Sequence, residues 1–133
     1  MFTVKVEGIP TPKGSKTLAG LKTGKPYMRE ANKALPAWMS ELKTVLAMKM
    51  LESGAQFTGP LQVEILFLMP RPKSVTREYP SVKPDTDKLC RAILDSAEQA
   101  GVYFNDSQVV DLYARKRYAD NQTPGALITI SNI

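Results

Sequence analysis

No histidine occurs in this 133-residue sequence, and that absence excludes several kinds of site. Without histidine there is no Ser-His-Asp triad, no Cys-His pair and no His-ligated zinc. The single cysteine, Cys90, allows neither an internal disulfide nor a thiolate zinc cage, and its apolar neighbours favour a place in the core. Only the acidic side chains are left as strong metal ligands, and carboxylate oxygens suit Mg²⁺ or Mn²⁺.

Long apolar runs are also missing. The longest, residues 65–70, is far shorter than the roughly 20 residues that span a bilayer. The first residues contain no extended apolar stretch of the kind found in signal peptides. We therefore expect a cytoplasmic protein with no membrane partner.

Acidic residues are outnumbered, with 13 Asp and Glu against 18 Lys and Arg and a net charge of +5. The excess of positive charge lies in the N-terminal part, whereas residues 78–133 hold more acids than bases. A cationic segment is typical of proteins that bind a polyanion such as nucleic acid. A moderate net charge also serves solubility alone, so charge leaves both interpretations open.

Hydrophobic periodicity indicates a single small α+β domain over residues 1–133. Alternating apolar residues predict strands, and three-to-four-residue spacing predicts helices. The predicted strands cover residues 2–7, 61–69, 108–118 and 126–133, and the predicted helices cover 30–52 and 86–100. Residues 8–27 are rich in glycine and proline and are interpreted as a long loop. The order β-α-β-α-β-β predicts a mixed sheet with two helices packed on it.

Three aspartates surround the second predicted helix. Asp85 and Asp87 stand at its start, where an aspartate most often caps the helix, but capping uses only one residue. Asp106 follows the helix, which is about 22 Å long, so spacing alone does not bring it back to the other two. If the three converge, carboxylates 4 Å apart repel by about 4 kcal/mol at an effective dielectric of 20. A divalent cation would remove that cost and could assist hydrolysis of a phosphodiester.

Two segments, KPDTDKLCRAILD and FNDSQVVDLYARKRYA, resemble the RusA family of Holliday-junction endodeoxyribonucleases. The early EGIPTPKGSK is similar to that family's G-x-P-x-P-K segment. The resemblance implies a small α+β homodimer that uses Mg²⁺ to resolve four-way DNA junctions in recombination and repair. It also implies that Asp85, Asp87 and Asp106 are catalytic metal ligands, and that Arg91 takes the place of a catalytic lysine. Lys88 stands where the family usually has asparagine, and Arg91 keeps the charge of lysine with a different geometry.

Contacts with DNA are expected from basic residues on the loops and on the third strand. The predicted set is Lys13, Lys16, Lys83, Lys88, Arg115 and Arg117.

Two other functions fit parts of the pattern. One is a nucleic-acid-binding module without catalysis, in which the acids only cap and pair. In that case Arg91 forms an ordinary helical ion pair with Asp87 or Asp95. The other is an interaction protein whose methionine-rich first helix, with Met39, Met48 and Met50, packs on a partner. Metal-dependent nicking of a synthetic junction separates both from a nuclease.

Overall fold

The computed structural model describes residues 1–14, 16–22, 25–30, 32–54 and 56–133, and of residues 16–22 and 25–30 it describes the backbone alone. The strands are β1 (Phe2–Glu7), β2 (Lys16–Lys22), β3 (Lys25–Glu30), β4 (Leu61–Met69), β5 (Val109–Tyr118) and β6 (Gly125–Asn132). The helices are α1 (Leu35–Ser53) and α2 (Thr86–Gln99), and a single 3₁₀ turn covers Asp106–Gln108. The prediction of a small α+β domain with two helices on a mixed sheet is confirmed.

The main sheet has the order β1-β6-β4-β5, in which β4 and β5 are parallel and the other neighbours are antiparallel. Its register places apolar residues opposite one another on one face. Ile65 pairs with Ile128 and Phe67 with Ala126, and all four are at most 1% exposed. Paired residues share a face of the sheet, so these side chains form one continuous layer of the core.

Both helices cover this apolar face. Helix α1 buries Trp38, Met39, Leu42 and Leu46 and packs against β1 and α2. Pro36 lies in its first turn, where the missing N–H costs little. Neither helix in the described part of the chain is long and apolar enough to cross a membrane.

The interpretation of residues 8–27 as a loop is wrong over residues 16–22 and 25–27, which belong to the antiparallel hairpin of β2 and β3. Residues 8–14 lie in no strand or helix. Glycine and proline in β2 and β3 interrupt the alternation of apolar residues from which strands are predicted. Pro26 lies within β3, which is possible because both strands of a two-stranded sheet are edges, where proline is tolerated. Because β3 extends to Glu30, α1 begins later in the chain than predicted, at Leu35 rather than at residue 30.

Strand β5 is an edge of the main sheet, and its register with β4 shows on which face of the sheet each of its side chains lies. Leu112 and Lys116 pair with the inward residues Val63 and Phe67, so they lie on the face that the helices cover. The alternate residues, including Arg115 and Arg117, lie on the opposite face. Arg115 and Arg117 therefore share a face of the sheet, and that face is turned away from α2.

Truncation of Phe67 to alanine tests the position of the core. Phe67 is 0% exposed on the central strand, whereas Phe104 is 81% exposed. Phe67→Ala should lower the free energy of unfolding by about 3–5 kcal/mol. Phe104→Ala removes the same atoms and should change it by less than about 0.5 kcal/mol. Urea unfolding measures both, and similar losses in the two variants would contradict this core.

Candidate active site

Helix α2 supplies most of the charged side chains of the candidate site. Its apolar residues Leu89 and Ile93 are at most 1% exposed and pack into the core. Asp87 and Arg91 each lie two residues from Leu89, which is roughly 200° around the helix axis. Both are exposed, on the side of α2 opposite the core.

The segment that leads into α2 is held by Lys116. Its ammonium donates to the carbonyls of Val82 and Pro84, each at 2.8 Å. These bonds tie the loop to β5 immediately before Asp85. Hydrogen bonds that involve a charged group are stronger than neutral ones, so Lys116 restrains the direction in which the chain enters α2.

Asp85 occupies the N-cap position of α2, but its side chain makes no capping hydrogen bond. Its carboxylate lies 3.8 Å from the Lys88 ammonium, and its side chain is 54% exposed. It lines a large groove of about 1080 Å³, which also borders Lys83 and Lys116. Helix capping by its carboxylate therefore does not explain why aspartate stands at this position.

Asp106 is brought back alongside the C-terminal half of α2. Gly101, with φ of 81°, turns the chain after the helix, and Tyr103 is then buried. The Tyr103 hydroxyl donates to the Leu94 carbonyl at 2.7 Å. The amide of Asp106 donates to Glu98 Oε1, also at 2.7 Å. These two bonds to α2 fix the position of the segment that carries Asp106.

A capping box completes the turn at Asp106. The Asn105 side chain accepts from the Ser107 amide at 2.8 Å, and Gln108 Oε1 accepts from the Asn105 amide at 3.0 Å. Sequence reasoning missed this box, although the N-x-x-Q spacing of residues 105–108 is a recognisable signal for it. It also missed Glu98 and Lys116, whose roles depend on contacts between distant elements.

Asp87, Arg91, Asp95 and Asp106 line one small pocket of about 350 Å³, together with Leu112 on β5. Two of the three predicted metal ligands thus share a pocket, while Asp85 lies in the larger groove. Over the described residues, no three of the histidine, cysteine, aspartate and glutamate side chains are grouped closely enough to hold a metal ion.

Burial suppresses the acidity of two further groups beside this pocket. Burial, and secondarily the charge of Asp87, raises the pKa of Cys90 to about 11. The thiol is therefore protonated at neutral pH and is a poor nucleophile. Burial also raises the pKa of Tyr103, with smaller contributions from the carboxylates of Asp106, Glu98 and Asp95, so its hydroxyl remains a hydrogen-bond donor.

The Arg91 guanidinium lies against the backbone of Gly14 in the N-terminal segment. The alternative in which Arg91 pairs with Asp87 or Asp95 is not met. Over the part of the chain that the structure describes, no carboxylate lies within ion-pair distance of Arg91. Asp95 instead pairs with Lys13, with Nζ to Oδ2 at 2.6 Å.

The residues expected to contact DNA are spread over several surfaces. Lys83 and Lys88 border the large groove beside Asp85, whereas Arg115 and Arg117 lie on the far face of the sheet. Arg117 lies over the Tyr79 ring, 5.0 Å from its centre. The side chain of Lys16 is outside the described residues.

Replacement of Lys116 by methionine tests how the entry to α2 is held. Lys116→Met removes two charge-assisted hydrogen bonds and should lower the free energy of unfolding by about 1–3 kcal/mol. Lys73→Met makes the same chemical change at an exposed residue and should leave stability within about 0.5 kcal/mol. Equal urea midpoints for the two variants would contradict the restraining role of Lys116.

Comparisons with known proteins agree with the resemblance of the two aspartate motifs. A protein-family model described as endodeoxyribonuclease RusA matches residues 7–131. A protein of Bacillus subtilis (strain 168), described as "Uncharacterized protein YqaN", is 29% identical over 135 residues, which cover 90% of this chain and 87% of that protein. The family match extends over the N-terminal segment, both helices and all three aspartates. The chain belongs to the RusA family of endodeoxyribonucleases, which hydrolyse phosphodiester bonds and resolve Holliday junctions.

Proposed function

We propose that this protein cuts four-way DNA junctions by divalent-metal-dependent hydrolysis, with Mg²⁺ as the expected ion and Mn²⁺ as a substitute. Asp85, Asp87 and Asp106 hold the metal, and Arg91 contacts the phosphate that is cut. The observation that carries the proposal is the shared pocket of Asp87, Arg91 and Asp106 on the exposed side of α2.

The chemistry of these side chains fits Mg²⁺. The ion prefers oxygen ligands, keeps several waters and is usually held by one or two carboxylates together with substrate phosphates. Asp87 and Asp106, which line one pocket, would supply two such carboxylates. The Asp85 side chain makes neither a capping hydrogen bond nor another hydrogen bond among the described residues, so its exposed carboxylate remains available as a further ligand. When bound, the ion supplies polarisation of the phosphate and activation of water.

Arg91 contributes the positive charge at the same pocket. Its guanidinium presents several N–H donors in a plane that matches two phosphate oxygens. Negative charge grows on these oxygens during hydrolysis, and a donor already in position stabilises it without reorganisation. The absence of an ion pair between Arg91 and a described carboxylate supports this role, since the donors remain available to the substrate.

Lys88 distinguishes this chain from the family pattern, in which asparagine usually occupies its position. Its ammonium lies 3.8 Å from the Asp85 carboxylate. A positive charge there partly neutralises Asp85 and competes with a metal ion for it. Lys88 and Lys83 also border the groove next to Asp85, where they are suited to contact the DNA backbone.

Two active sites in a homodimer would produce the paired cuts that resolve a symmetrical junction. The edge strand β5 supports such a dimer. Val110 and Tyr113 on this strand are 61% and 60% exposed. An unpaired edge with exposed apolar side chains is a ready surface for a second copy. On the outer face of the same sheet, Arg115 and Arg117 are then available for another arm of the junction.

The interaction-protein alternative loses its main support in the fold. Of the three methionines on α1, Met39 and Met50 are each only 9% exposed, and Met48 alone is 61% exposed. The helix therefore uses most of its methionines in its own core rather than on a free surface.

Conversion of each aspartate to asparagine tests the metal site. Asp85→Asn, Asp87→Asn and Asp106→Asn should each abolish Mg²⁺-dependent cleavage of a labelled four-way junction, because metal ligation needs the anionic oxygens. Binding of the junction should be retained, since phosphate contacts come from other residues. Asp111→Asn is the matched control on the outer face of β5 and should cut at the wild-type rate.

The reactions are run with Mg²⁺ and again with a chelator. A variant of the three that cuts as fast as Asp111→Asn would remove its aspartate from the site. A wild-type protein that binds the junction but never nicks it would favour a binding module instead.

Sedimentation tests the dimer. The wild-type protein should sediment as a dimer, and Val110→Glu combined with Tyr113→Glu should shift it towards monomer by placing charge on the β5 edge. Leu51→Glu adds one charge at an 86% exposed position on α1 and should remain dimeric. A wild-type monomer at the concentrations that support cleavage, with junction present, would rule out the dimer.

A further inference from the structure

Lys13, in the N-terminal segment, contacts α2 through both its backbone amide and its side chain. The Lys13 amide donates to the Lys88 carbonyl at 3.0 Å. The Lys13 ammonium pairs with Asp95 Oδ2 at 2.6 Å, and the two side chains are only 30% and 26% exposed. An ion pair that is this short and partly shielded from water is a more persistent restraint than a fully exposed one.

Gly14 lies directly against Arg91 as a result. A Cβ built on Gly14 would collide with the Arg91 guanidinium, and it would come within 3.2 Å of Cζ. Gly14 also has φ of +102°, a conformation that residues with a side chain rarely adopt. The absence of a side chain at this residue therefore lets the backbone of the segment form one wall beside the guanidinium.

The helix itself offers Arg91 two competing carboxylates. Asp87 lies four residues before it and Asp95 four residues after it, the spacing at which opposite charges on a helix pair. Asp95 is paired with Lys13, and Asp87 and Asp95 both line the same pocket as Arg91. Without Lys13, Asp95 would be a second unpaired carboxylate one turn from Arg91, beside Asp87, which the proposed function assigns to the metal ion.

We propose that Lys13 is a positioning residue for Arg91 rather than a contact to DNA phosphate. By pairing with Asp95, it withdraws the carboxylate that would otherwise draw the guanidinium away from the substrate. It also presses the backbone of Gly14 against Arg91. This inference rests on the proposed role of Arg91 in cleavage, and it reassigns one of the lysines expected from the sequence to bind DNA.

The test compares Lys13→Met, Asp95→Asn and the double variant in single-turnover cleavage at saturating enzyme, which separates chemistry from binding. Lys13→Met frees Asp95 to capture Arg91, and the cleavage rate should fall roughly tenfold or more. The loss is bounded by that of Arg91→Ala, for which roughly 10²–10³-fold is expected when one transition-state donor is removed. The double variant lacks the competing carboxylate, so its rate should recover towards that of the wild type.

A lysine that only stabilises the fold, or only contacts DNA, gives a different pattern. A purely structural ion pair predicts that the double variant cuts no faster than Lys13→Met, and that result would overturn the proposal. A phosphate contact predicts weaker junction binding for Lys13→Met and a slope of log affinity against log salt that is shallower by about 0.9. That outcome, with no rescue by Asp95→Asn, would also overturn it.

A readout that does not use cleavage keeps this inference separate from the proposed function. The Nε–H signal of Arg91 in a ¹⁵N NMR spectrum should shift in Lys13→Met and return in the double variant, while urea midpoints report that each variant is folded. An unchanged Arg91 signal in folded Lys13→Met contradicts the positioning role. If the signal shifts as expected but Arg91→Ala cuts at the wild-type rate, the positioning stands and the catalytic role of Arg91 fails.

Discussion

The burial of one face of helix α2 determines the direction of the charged side chains in the candidate site. Leu89 and Ile93 are held in the core at 0% and 1% exposure, so the helix cannot rotate without exposing them. Burial of a side chain of this size contributes about 1.5–3 kcal/mol relative to exposure. Asp87 and Arg91, on the other side of the helix, are consequently directed into the pocket that Asp106 reaches from the following segment.

Charge balance around that pocket depends on residues from other parts of the chain. Asp95 is neutralised by Lys13 from the N-terminal segment, and Glu98 accepts a hydrogen bond from the Asp106 amide. Lys116 on β5 holds the loop that enters α2. Asp87 and Asp106 form no ion pair among the described residues, so their carboxylate oxygens remain available for the metal ion that we propose.

Hydrophobic periodicity predicts the bounds of an element well where apolar residues recur regularly. Strand β4 has the predicted bounds, and α2 differs from its prediction by one residue at its end, because apolar residues recur at the spacing of each structure. Hydrophobic periodicity did not predict the hairpin of β2 and β3, since a two-stranded sheet tolerates the proline and glycine that normally indicate a loop.

The site was only partly accessible to the same reasoning. The aspartates could be selected from the sequence and Arg91 through the family resemblance, and the spacing of Asp87 and Arg91 gave their common face on α2. The return of Asp106 depends on the turn at Gly101 and on bonds to Leu94 and Glu98, which a count of residues does not contain. The ion pair of Lys13 with Asp95 joins residues 82 positions apart, and only the folded chain brings them together.

The central claim is that Asp87 and Asp106 share a divalent metal ion in the pocket beside Arg91. A crystal of the protein soaked with Mn²⁺, at a concentration that supports cleavage of a four-way junction, tests it most directly through the anomalous signal of the ion. The account predicts one Mn²⁺ peak within about 2.0–2.3 Å of carboxylate oxygens from both aspartates, the range typical of small divalent ions. A Mn²⁺ peak bound by other residues, with none between Asp87 and Asp106, would contradict it.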